Sequence, residues 1–133
     1  MNFQTVNPWA WQDQFQFSQA VDVRGAARVL YCAGQTSVDP EGRVLHPGDM
    51  SAQLERAFDN LETVLTSAGL DIANVVRLNY YVTDMKAFGA ARAVIEARLG
   101  SLPVKPSGTL LGVASLSQSD LLVEIEATAV ASA

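Results

Sequence analysis

With 133 residues the chain can bury one hydrophobic core but not two, and a composition 49% apolar and 17% charged puts it among folded domains, away from disordered ones. Fourteen acidic residues against nine basic ones leave a net charge of -5, which disfavours non-specific association with phosphate backbones and anionic lipid. No nucleic acid and no membrane partner is therefore expected. A lone cysteine, Cys32, has no partner for an internal disulfide, and a lone histidine, His46, lacks the companions of a zinc set, so no metal is expected either.

Met1 to Trp11 lacks the basic and apolar regions of a signal peptide, and no apolar run is long enough to span a bilayer, which predicts a cytoplasmic location. Residues 1–14 read as a loose lead-in to a single domain spanning 1–133, with no repeat or interior linker to divide it. Phe15 to Val23 roughly alternates polar and apolar side chains, and after Arg24-Gly25 the run Arg28 to Ala33 is β-rich and apolar, giving two strands joined by a short turn. Asp39-Pro40-Glu41-Gly42 supplies the preset φ of proline and the free φ of glycine that a tight turn uses, with Val44-Leu45 as a short return strand.

Leu54, Ala57, Phe58, Leu61, Val64, Leu65 and Ala68 recur at three and four residues, the stripe of an amphipathic helix, and Gly69 ends it. Val75 to Thr83 is predicted as a strand with Val76, Leu78, Tyr80 and Val82 on one face and Arg77, Asn79 and Tyr81 on the other. Asp84 is suited to cap a second helix, lined by Phe88, Ala91, Ile95 and Leu99 and stopped by Gly100. Thr109 to Val113 and Leu121 to Ala129 complete the strands. Strands separated by helices need crossovers, so the expected fold is a mixed β-sheet, at least partly parallel, with two helices packed on one face. The other face then lacks a cover, and self-association is the simplest remedy.

On the last strand Glu124 and Glu126 lie two apart, so both carboxylates project from the helix-free face. Burial there by another subunit would raise a carboxylate pKa toward the range useful in acid-base catalysis; the plainer alternative is a solvated polar face. Cys32 on a strand reads as a small buried hydrophobe, not a nucleophile, and His46 before Pro47 as a surface residue. No nucleophile elbow, phosphate-binding loop, dinucleotide fingerprint or metal-ligand spacing is present.

Phe17-Ser18-Gln19-Ala20-Val21, Tyr31-Cys32-Ala33-Gly34-Gln35 and Asp39-Pro40 resemble the opening of the RidA/YjgF family of reactive intermediate deaminases. Asn60-Leu61, Ala68-Gly69, Val75-Val76-Arg77, Thr83-Asp84-Met85 and Leu122-Val123-Glu124-Ile125-Glu126-Ala127 follow in the family's order and approximate spacing, so the resemblance covers about Phe17 to Ala129. It implies an α+β, chorismate-mutase-like fold that forms homotrimers with a small-molecule cleft at each subunit interface. Family enzymes hydrolyse 2-imino and 2-enamino acids to keto acids and ammonia with no cofactor. An arginine grips the substrate carboxylate and a glutamate on the last strand positions water.

Carried over by the resemblance, the water-positioning glutamate is Glu124, the cleft glycine is Gly34, and Phe17 stands where the family has tyrosine. In Lys105-Pro106-Ser107-Gly108-Thr109, Gly108 replaces the clamp arginine while Thr109 keeps the hydroxyl that follows it, which points to an arginine-lacking subgroup. Glycine cannot supply the bidentate pair of an arginine, so altered specificity is expected. Arg92, where the family often has a cleft asparagine, is one compensating cation; its plainer role is a helix arginine paired with Glu96. Lys105 is another candidate, with a solvent-facing lysine before proline as its plainer role. The function expected is a RidA-type homotrimeric enzyme hydrolysing or deaminating a reactive imine or enamine. Its alternative is a non-catalytic small-molecule-binding or interaction protein on the same scaffold. A nuclease role ranks third, because acidic balance and a single histidine do not favour it.

Overall fold

Turn and cap chemistry sets where the elements begin and end in the computed structural model, which describes residues 1–132. Strands β1 (Asn2–Val6) and β2 (Ala20–Arg24) form an antiparallel two-stranded sheet, with a 3-10 turn at Trp11–Phe15 between them. Residues 1–14, expected as a loose lead-in, thus contain a strand whose partner is β2. Gly25, at φ +72°, then turns the chain into β3 (Arg28–Tyr31), which belongs to the main sheet and does not pair with β2.

The main sheet runs β3, β7 (Val123–Ala131), β5 (Val75–Val82), β6 (Leu110–Gly112), with the two-residue β4 (Gln35–Thr36) also paired to β7. Among the strands of the described residues only β5 and β6 pair in parallel; β7 is antiparallel to β3, β4 and β5. The sheet is mixed, as the crossovers required. At Asp39 the expected turn closes through Gly42 N–H to the Asp39 carbonyl at 2.9 Å, with the Asp39 carboxylate accepting from the Glu41 and Arg43 amides. The expected return strand at Val44-Leu45 amounts to one isolated bridge, Val38 to Val44.

Asp49 caps α1 (Met50–Ser67) by accepting from the Ala52 amide, and the helix ends in paired Gly69-to-Thr66 and Leu70-to-Leu65 bonds, with Gly69 at φ +76°. Asp84 caps α2 (Met85–Ala90) through the Ala87 amide. The second helix breaks at Ala91 and resumes as α3 (Arg92–Leu99). Gly100 keeps right-handed φ, so a glycine turn does not finish α3; instead Lys105 Nζ donates to the carbonyls of Leu99, Gly100 and Leu102 at 2.8–3.0 Å. A cation on terminal carbonyls suits both their lone pairs and the helix dipole.

Leu54, Phe58, Leu61 and Leu65 of α1, with Phe88, Ala91, Ile95 and Leu99 of α2 and α3, pack on Leu78, Val82, Val123, Ile125 and Ala127 to form the core. Arg98 pins α3 to α1 by reaching Glu55, Asp59 and Glu62 at 2.6–3.1 Å. Gln53 is fully buried and satisfied: its amide donates to the His46 and Asp120 carbonyls and accepts from the Leu122 amide, tying the approach to α1 to the approach to β7. Among the described residues no helix is long and apolar enough to cross a membrane.

Candidate active site

Alternation along β7 buries Val123, Ile125 and Ala127 under the helices and turns Glu124, Glu126 and Thr128 to the other side. Cross-strand register places Tyr81 beside Glu124, Asn79 beside Glu126 and Tyr31 beside Thr128 on that helix-free face. Tyr31 is 81% exposed, and Val29 and Leu111 on the same face are exposed as well. The uncovered apolar surface anticipated from the strand pattern is therefore present on the isolated chain.

The two carboxylates have different surroundings. Glu126 accepts from Asn79 Nδ2 at 3.1 Å and from the Tyr81 hydroxyl at 2.8 Å, and these bonds hold its carboxyl below the usual range. The same bond to Glu126 pushes the Tyr81 hydroxyl up. Interface burial was expected to raise a carboxylate here; in the chain itself the hydrogen bonds act on Glu126 in the opposite sense. Glu124 instead lies against Gly34: its carboxylate fills the space a Cβ at residue 34 would need. Two residues far apart in sequence are brought together because the Ala33–Thr36 segment runs alongside β7.

A second cluster forms at the β6 edge of the sheet, on the helix side. Gln14, Phe15, Gln16 and Phe17 close over Leu78, Tyr80, Met85, Phe88, Ile95 and Leu110 to enclose a pocket of about 470 Å³ that Gly89, Arg92, Glu96, Gly108 and Thr109 also line. Ser18 fixes the near wall, donating from its amide to the Pro106 carbonyl and from its hydroxyl to the Lys105 carbonyl. Phe17 packs edge-on against Trp11. Arg92 combines the two roles considered for it: it pairs with Glu96 at 3.3 Å, and it lines the pocket with its guanidinium over the Phe15 ring and Nη2 donating to the Gln14 carbonyl. Lys105 does neither of the things expected of it, because its ammonium is taken up by the end of α3.

Phe17, Arg92, Gly108 and Thr109 thus share one pocket, whereas Gly34 and Glu124 share the opposite sheet face. Thr109 links the two, since its amide donates to Asn79 Oδ1 and its hydroxyl accepts from Arg77 on the helix-free side. Gly108 has a local cause: a Cβ there would run into the Leu78 carbonyl, so residue 108 lies too close to β5 for any side chain in this conformation. Sequence reasoning missed Gly89 and the Arg77, Asn79 and Tyr81 network as site features. Strand alternation put the latter three on the face of Glu124, and only cross-strand register shows that two of them bond Glu126. Cys32 is buried, which pushes its thiol up, and His46 is exposed, as expected of each.

A mixed sheet carrying helices on one face, with a carboxylate over a glycine and a pocket at its parallel edge, defines an α+β class. The endoribonuclease L-PSP family model matches residues 10–131, and the chain belongs to that family, also called RidA/YjgF. Among its relatives, the mouse 2-iminobutanoate/2-iminopropanoate deaminase is 36% identical over 115 residues, covering 86% of this chain and 80% of that protein. A RutC family protein of Aquifex aeolicus is 35% identical over 114 residues, covering 86% and 87%. The crystal structure of a conserved Rid-family protein of unknown function, YyfB from Yersinia pestis, superposes with a TM-score of 0.88 at 34% identity, covering 98% of this chain and all of that one.

Proposed function

We propose that the protein is a RidA-type hydrolase of reactive imines or enamines that works as a homotrimer, with Glu124 activating water. The seating of Glu124 carries this reading: its carboxylate is placed against Gly34 on an open sheet face, while Glu126 is already engaged by Asn79 and Tyr81. Family membership and the named imine deaminases among its relatives support the reaction class. Glu124 and the pocket lie on opposite faces of one chain, so a second copy docked on the open face completes the site by bringing its own pocket to Glu124. Water adds to the carbon of the protonated imine and passes a proton to Glu124, leaving a neutral carbinolamine. Glu124 returns that proton to the nitrogen, the C–N bond breaks to release ammonia as the hydroxyl oxygen forms the carbonyl, and the hydroxyl proton passes to solvent.

Glu124→Gln keeps size and one acceptor but removes the base. Imine hydrolysis, followed as keto acid released from an oxidase-generated imine, is expected to fall about 10²-fold while assembly persists. Glu126→Gln controls for loss of charge on the same face. Turnover by Glu124→Gln at the parental rate would remove the catalytic assignment and favour a binding protein on the same scaffold.

A further inference from the structure

We propose that the pocket beneath the Gln14–Phe17 segment receives the side chain of the substrate and selects large apolar ones, aromatic or branched, with Gly89 setting the size limit. The word substrate rests on the hydrolase reading above; the binding preference stands apart from it.

The walls argue for such an occupant. At about 470 Å³ the pocket is in the range that holds a ligand much bulkier than a small keto acid, and Phe15, Phe17, Leu78, Met85, Phe88, Ile95 and Leu110 make it chiefly apolar. Tyr80 adds a ring, tilted against Phe88 with centroids 5.3 Å apart. Burial pushes its hydroxyl up, and Tyr80 lines the pocket. At the mouth, Arg92 is half-exposed with Glu96 beside it, so a ligand carboxylate there gains little net charge attraction. Discrimination therefore falls to the apolar wall.

The two pocket glycines have opposite causes. Gly108 leaves no room for a side chain, whereas a Cβ at Gly89 meets nothing within 4 Å. Gly89 lies inside α2, where glycine is a poorer helix former than alanine, and its backbone is not in the left-handed region. Gly89 is exposed and, like Met85 and Arg92 one turn before and after it, lines the pocket; alanine fits there without strain, and a larger side chain would take up space at the pocket's opening.

The test measures binding of phenylpyruvate and of pyruvate to the assembled protein by titration calorimetry, for the parent, Gly89→Ala and Gly89→Leu. The parent is expected to bind phenylpyruvate about tenfold or more tightly than pyruvate, as burial of a ring predicts. The ratio should fall in Gly89→Ala and approach one in Gly89→Leu, while Gly89→Ala raises the unfolding midpoint, which excludes unfolding as the cause. A parental ratio near one, or a ratio that survives both substitutions, overturns the proposal. Absence of saturable phenylpyruvate binding also overturns it and assigns the pocket to packing between copies. Turnover assays on the parent keep the two readings distinct: a binding preference without imine turnover leaves the pocket standing and removes the hydrolase. Turnover of small imines with a ratio near one does the reverse.

Discussion

Glu126 shows how strongly a carboxylate depends on its immediate donors. Asn79 first and Tyr81 second stabilise its charged form, so its pKa in the folded protein lies below that of an ordinary glutamate, about 4.3. The sign follows from linkage: the stabilisation is fully present above that ordinary value and is lost as pH falls through the depressed one. Tyr81→Phe removes one donor and leaves the other, so the Glu126 titration, followed by carboxyl NMR, should move upward without reaching the ordinary value. An unchanged titration would show that the hydroxyl does not bear on the charge. The common face of Glu124 and Glu126 was legible because strand alternation needs no tertiary knowledge. The difference between them was not, since it depends on which residues of β5 lie opposite. Likewise the glycine at residue 108, where the resemblance led one to expect an arginine, was plain in the sequence, but the Leu78 carbonyl that leaves no room for a side chain there is a neighbour from another strand.

The elements with strong local signals were the ones sequence foretold. The stripe of α1, its Gly69 terminus and the Asp84 cap of α2 all rest on contacts within a few residues. Strand β1 escaped notice because four of its five residues are exposed, leaving no buried face to create a pattern. α3 does end at Gly100, as expected, but without a left-handed glycine, and the lysine that satisfies its carbonyls comes from five residues further along. Gly69 allows a clean test of a local signal. Its φ is +76° and nothing crowds a Cβ there, so Gly69→Ala adds backbone strain and no collision. Loss of about 1 kcal/mol is expected, seen as a lower denaturant midpoint with unchanged slope. An unchanged midpoint would mean that the helix terminus relaxes into another turn.

At the scale of the whole molecule, the open sheet face is the property most in need of a partner. Exposed Tyr31, Val29 and Leu111 surround Arg77, Glu124 and Glu126, and an apolar surface of this kind on an uncovered sheet face favours association of identical copies. Light scattering is expected to return three times the mass of one chain, and Tyr31→Asp to shift the population toward single chains; a parental protein that scatters as one chain at micromolar concentration would sink the trimer. The place of β7 bears on how the chain reaches this state. β7 lies between β3 and β5 and carries the pairing of β4 as well, although it follows all of them in sequence. During synthesis, then, α1 can form as it emerges from the ribosome, but β3, β4 and β5 have no common template until β7 is released. Their unpaired edges are exposed for that interval, so aggregation should compete with folding most strongly just before the last strand emerges, and a chaperone that shields strands should matter most then.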